Sequence, residues 1–294
     1  MRAVLGVILA TGTAGFAIAA AITLLRPAAG QRALARFAER AGLPVPASSV
    51  GALERSMKRR SVIELGGVSV ALGAGGLLLL LPWGTVSAFP LAVFVPVIVA
   101  ATLLTTMSVA LHGHLSVPSL GEPRVARSRV TTARDYLGSI PRAVTWALAA
   151  IAVGSGGWTL WSLAHHSTAR GDVAVLALVV SGLAIAAAAA LPLLDARMLA
   201  RPQPVGSELE LAWDDALRLA ALNGCRLCAG VLALLAGTLA SATAISGGDE
   251  IPGWIFTLFV VVQLPLATVY PTTGAPVPRR LHPHGIHVPA GSTA

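Results

Sequence analysis

The sequence predicts an all-α, polytopic membrane protein with about seven transmembrane helices, its N-terminus outside and its C-terminus in the cytoplasm. Three observations lead there. Charged residues make up 12% of the 294-residue chain and hydrophobic residues 55%, with a mean hydropathy of +0.76. A soluble domain carries roughly 25% charged residues, so this supply cannot coat a water-facing surface. The apolar residues fall into continuous runs of bilayer-spanning length. The basic residues then sort almost entirely to one side of those runs. The composition excludes a soluble globular, a disordered or a disulfide-rich secreted protein, since there are two cysteines.

A span needs about 20 mainly apolar residues. The first run, about 3–25, has Arg2 before it and no internal charge. It is too long for a signal peptide, and its small residues Ala19 and Ala20 lead directly into Ile22 and Leu25, so it reads as an uncleaved helix. The second and third runs, about 62–82 and 86–111, are joined by a turn at Pro82-Trp83-Gly84. The fourth and fifth, about 143–164 and 173–194, are joined by a short link carrying His165, His166, Arg170 and Asp172. The sixth and seventh, about 225–245 and 253–270, are joined by Ser246-Gly247-Gly248-Asp249-Glu250. These runs form one helical membrane domain over 1–270, and 271–294 read as a flexible cytoplasmic tail. A β-barrel would show alternating segments half as long.

With seven spans, segments 26–60, 112–142 and 195–226 and the tail share one side and hold nineteen of the 21 basic residues. The other side holds Arg2 and Arg170. This asymmetry places the basic side in the cytoplasm. The net charge of +8 is therefore topology, not attraction to nucleic acid.

Three cytoplasmic stretches stand out. In 31–42, Arg32, Arg36 and Arg40 recur every four residues opposite Leu34, Phe37, Ala38 and Ala41, which fits a helix lying in the headgroup region. Arg55, Lys58, Arg59 and Arg60 precede the second span and are candidates for contact with anionic lipid, and Glu64 can pair with Arg60 at i, i+4. In 207–222, Ser207 and Glu210 have capping-box spacing and Asp214 and Arg218 are spaced i, i+4. This helix leads into the sixth span with a break at Asn223-Gly224. Glu208, Glu210, Asp214 and Asp215 form an acidic patch, a candidate for docking a protein partner or for pairing with the Arg124–Arg134 loop.

Chemistry-bearing motifs are sparse. Cys225 and Cys228 are half a zinc or redox motif, which His282, His284 and His287 of the tail would have to complete. His112, His114, His165 and His166 read as interfacial residues. No phosphate-binding loop, nucleophile elbow or paired-histidine zinc helix occurs, and no cofactor or metal is expected. Pro96, Gln263 and Pro265 are candidates for lining a cavity at broken spans.

The alanine-, leucine-, valine- and glycine-rich spans, the almost exclusively arginine basic loops, and the segments Arg134-Asp135-Tyr136-Leu137 and Trp213-Asp214-Asp215-Ala216-Leu217-Arg218 give the chain its character. In these it resembles the uncharacterised multi-pass integral membrane proteins of high-GC Gram-positive bacteria. That resemblance implies a multi-pass plasma-membrane protein and brings no activity with it. The expected role is a non-enzymatic membrane subunit or scaffold that touches membrane lipids and acts through a cytoplasmic or membrane protein partner. A permease for an apolar or amphipathic substrate and a lipid-modifying intramembrane enzyme are the alternatives.

Overall fold

The computed structural model describes residues 11, 14–15, 17–22, 26, 28–46, 49–80, 131–165, 171–200, 207–245, 266, 268–272, 274–278 and 281–282. Among the described residues the chain is helical, with no strand. Six helices are defined in it: α1 (Ala28–Ala41), α2 (Val50–Leu80), α3 (Ala133–Tyr136), α4 (Ser139–His165), α5 (Gly171–Leu199) and α6 (Glu208–Ile245).

Local chemistry sets the helix ends. α1 stops in a Schellman turn: Gly42 takes φ 67°, Leu43 N–H donates to Ala38 O at 3.1 Å and Gly42 N–H to Glu39 O at 3.3 Å. Pro44 follows and cannot continue the helix. α3 is opened by a reciprocal cap, in which Asp135 Oδ2 accepts both the Thr132 N–H at 2.8 Å and its hydroxyl at 2.9 Å. α6 is capped by Ser207, whose Oγ accepts the Glu210 N–H at 3.2 Å, as the spacing predicted.

Among the described residues three helices are long and apolar enough to cross a membrane: α4, α5 from Val173 and α6 to Thr243. They match the expected runs 143–164, 173–194 and 225–245. The three pack on one another, with α6 in the middle. In its apolar stretch 83% of α6 is buried, against 28% for α4 and 33% for α5. α4 is apolar outside and polar inside. Its buried residues are Leu148, Ala152, Ser155, Thr159 and Ser162, spaced as an alternating four-three repeat. Trp146, Val153, Trp158, Leu160 and Trp161 are exposed. The inward hydroxyls are satisfied within the helix, Ser155 Oγ donating to Ile151 O at 2.7 Å and Thr159 Oγ1 to Ser155 O at 2.8 Å. Soluble helices place such residues the other way round. Small and hydroxylic residues at the contact with large apolar ones outside are what a lipid solvent selects. Trp158, Trp161 and His165 stack in series at one end of α4. Arg142 lies about 29 Å away along the axis, close to the ~30 Å thickness of a hydrocarbon core.

α2 runs without interruption from the basic cluster through the expected second span as far as Leu80. The runs 3–25 and 253–270 are described only at scattered positions, and 86–111, with Pro96, lies outside the described residues, as do Gln263 and Pro265.

Four expectations are corrected. α6 has no break at Asn223-Gly224 and is 38 residues long, about 57 Å. The Asn223 side chain donates to Pro271 O at 3.1 Å instead of competing for its own backbone. About half of α6 therefore extends beyond a 30 Å bilayer. α5 continues past 194 to Leu199. The apolar stripe of α1 does not face lipid: Leu34, Phe37 and Ala41 are buried with Leu53 and Met57 of α2 and Leu209, Trp213 and Ala216 of α6. The first part of the tail is not loose, because Ala275, Val277 and Leu281 pack against these cores. Residues 283–294 lie outside the described residues. α6 contributes to each of the three apolar clusters and is the spine that joins them.

Candidate functional site

The first half of α6 carries a run of buried polar groups: Asp214, Asp215, Arg218, Asn223 and Arg226. Each is placed by the helical repeat and met either within α6 or by α5, α3 or the chain beyond Tyr270. Arg218 Nε lies 2.7 Å from Asp214 Oδ2 one turn back. Its Nη1 donates to Met198 O at 3.3 Å, at the C-terminus of α5, where unpaired carbonyls and the helix dipole favour a cation. Two turns on, Arg226 grips Asp195 of α5 at two points, with Nη1 3.1 Å from Oδ1 and Nη2 on Oδ2, while Nη1 also reaches Leu222 O at 3.1 Å. Parallel fork-to-carboxylate pairing of this kind is the strongest geometry open to an ion pair.

Asp215 has no exposed surface. The Tyr136 hydroxyl donates to its Oδ1 at 2.7 Å, and His282 Nε2 sits 2.9 Å from its Oδ2. The short helix α3 brings Tyr136 to this carboxylate, and the tail brings His282. A strap, described at 270–272, 274–278 and 281–282, thus crosses the base of the bundle. Tyr270 Oη donates to Pro141 O at 2.9 Å and shares a 2.8 Å hydrogen bond with Thr145 of α4. Asn223 of α6 holds Pro271 O, and Arg60 Nη2 of α2 donates to Thr272 O at 3.0 Å. Gly274, at φ 112°, passes so close to α1 that a Cβ there would lie 3.1 Å from Phe37 O and from Arg40 Cβ. Trp213 completes the seam, donating from Nε1 to Pro44 O at 2.8 Å and stacking on Phe37 at 5.7 Å between centroids.

The sequence-predicted site residues separate into groups. Of the acidic patch, Glu208 is exposed, Glu210 half-buried, and Asp214 and Asp215 are buried and paired inside the molecule. Of the basic cluster, Arg55 and Arg59 are exposed, Lys58 is half-buried, and Arg60 is turned to the strap. Cys225 and Cys228 are buried and form no disulfide. His282, a conceivable fellow ligand, is committed to Asp215, and His284 and His287 lie outside the described residues. Among the described residues no cluster of three or more metal-ligating side chains occurs. The cleft between α4, α5 and α6 beside Arg226, lined by Thr145, Ala184 and Gly230, has no room for a water molecule.

The i, i+4 spacing foretold Asp214–Arg218. Tyr136, Asp195, Arg226 and His282 were missed as site residues. Asp195 and Arg226 left a signal: opposite charges at the same-side ends of two adjoining apolar runs. Chemically, the arrangement matches acid to base and donor to acceptor across five helices and the strap. No family model, curated protein or solved structure matches the chain.

Proposed function

We propose that the protein is a multi-pass plasma-membrane protein of about seven spans, N-terminus outside and C-terminus in the cytoplasm, that serves as a non-enzymatic membrane subunit or scaffold and meets a protein partner on its cytoplasmic side. The observation that carries the role is the pairwise matching of the buried polar groups on α6: Asp214 with Arg218, Asp195 with Arg226, and Asp215 with Tyr136 and His282. A reacting centre keeps an ionisable group turned toward a substrate space. These groups are instead spent on fastening helix ends and the strap into a firm head. The inside-out pattern of α4 supports membrane residence. The nineteen basic residues on one side support the orientation.

Glu208, exposed in the first turn of α6, is the acidic residue of the patch that a basic partner surface can reach. Extraction from native membranes in mild detergent, followed by mass spectrometry of what co-elutes, tests the role. A stoichiometric partner whose recovery falls on Glu208→Lys substitution is the expected result. A monodisperse protein with no partner overturns it.

A further inference from the structure

α1 and the first part of α2, as far as Arg60, form a hairpin whose apolar residues pack within the protein, which leaves most of its arginines outward. Leu34, Phe37, Leu53 and Met57 are buried. Arg26, Arg32, Arg36, Arg40, Arg55 and Arg59 are exposed, with Glu39 the exposed acid among them. The helices touch at Gly30, where a Cβ would lie 2.9 Å from Glu54 O and 3.4 Å from Lys58 Cβ. That contact fixes the level of α1 against α2. Arg32, two residues on, stands beside the stretch that holds Arg55, Lys58 and Arg59.

The same stretch has a fixed depth. α2 is unbroken, and Arg59 precedes the apolar run at Val62 by three residues, about 5 Å. The far end of α1 points away from that level. Pro44 and Phe37 lie on Trp213 of α6, which is about 18 Å along the helix before the apolar run at Cys225. Arg36 and Arg40 therefore stand progressively farther from the hydrocarbon edge than Arg32.

We propose that Arg32, Arg55 and Arg59, with Lys58 beside them, form a binding surface for the phosphate headgroups of anionic lipid in the leaflet that α2 enters. Guanidinium forks match phosphate oxygens, two hydrogen bonds at a time. Arg55 and Arg59 are about 6 Å apart along α2, so the three forks and the ammonium fall within the thickness of a headgroup layer. A soluble polyanion would use the whole length of α1 equally. This inference rests on the membrane reading given above and names its lipid partner.

The full chain, purified in mild detergent, is titrated with phosphatidylglycerol or with phosphatidylcholine, and bound lipid is counted by native mass spectrometry. Phosphatidylglycerol should bind in preference. Arg32→Gln/Arg55→Gln/Arg59→Gln should weaken it roughly a hundredfold, and Arg36→Gln/Arg40→Gln by a few-fold at most. The triple arginine-to-lysine variant retains the charge but not the fork and should recover affinity only in part, to a level between the parent and the glutamine variant, which separates lost binding from lost folding. Equal binding of the two lipids overturns the proposal, as does wild-type affinity in the triple glutamine variant. Equal losses in both glutamine variants, with inorganic polyphosphate displacing the lipid, would reassign the surface to a soluble polyanion. Failure to find a protein partner would sink the scaffold role and leave these lipid measurements intact.

Discussion

Arg226 of α6 and Asp195 of α5 meet in a two-point ion pair, 31 residues apart in sequence, with side chains 6% and 11% exposed. The pair stands where α6 passes from its polar half into its apolar half, so it sets the register of α5 against the central helix. Removing one partner strands the other in a low-dielectric setting. Arg226→Ala or Asp195→Ala should each cost about 3–5 kcal/mol of stability, read as a lowered thermal midpoint in detergent. The double variant Asp195→Leu/Arg226→Met should regain most of that loss. If both single variants melt like the parent, the pair is ornamental.

The strap should respond to its two anchors differently. Tyr136→Phe removes a 2.7 Å hydrogen bond from a fully buried carboxylate, at about 1–3 kcal/mol, while His282 still holds the tail. His282→Ala has a comparable cost and also releases the strap. Limited proteolysis should therefore cut within 274–282 much faster in His282→Ala than in Tyr136→Phe. Equal cutting in the two would show that Asn223 and Arg60 alone hold the segment.

Two glycines offer a paired test of how α1 seats on α2. Gly30→Ala pushes a methyl to within 2.9 Å of the Glu54 carbonyl, which is backbone and cannot swing aside. It should cost about 1–3 kcal/mol and raise hydrogen exchange across α1. Gly51→Ala meets open space in the first turn of α2 and should be neutral or stabilise by at most about 0.5 kcal/mol. Protection of α1 unchanged in Gly30→Ala would contradict the close crossing.

The orientation is open to labelling. In a background with Cys225 and Cys228 replaced by alanine, single cysteines at Arg127 and Arg279 should resist membrane-impermeant reagents in intact cells. Those at His166 and Asp249 should react. The opposite pattern reverses the topology.

What was legible in the sequence was whatever depends on neighbours along a helix. Ser207 capping Glu210 and Asp214 pairing with Arg218 follow from three- and four-residue spacing, and the three spans at α4, α5 and α6 follow from apolar length. Spacing could not say which face of α1 would be dry. An apolar stripe buries itself equally well in a bilayer interface or against Trp213, and only the presence of α6 at that spot decides.

By itself, then, the sequence determined the solvent: 12% charge and runs of about 20 apolar residues leave a helical membrane protein as the physical outcome. Tertiary structure decided how the few charges inside it are tolerated. Asp215 finds Tyr136 and His282 across 79 and 67 residues, and Asp195 finds Arg226 across 31. No local rule reaches that far. A buried carboxylate accepts whichever donors the packing delivers, and here a four-residue helix and a tail strap deliver them.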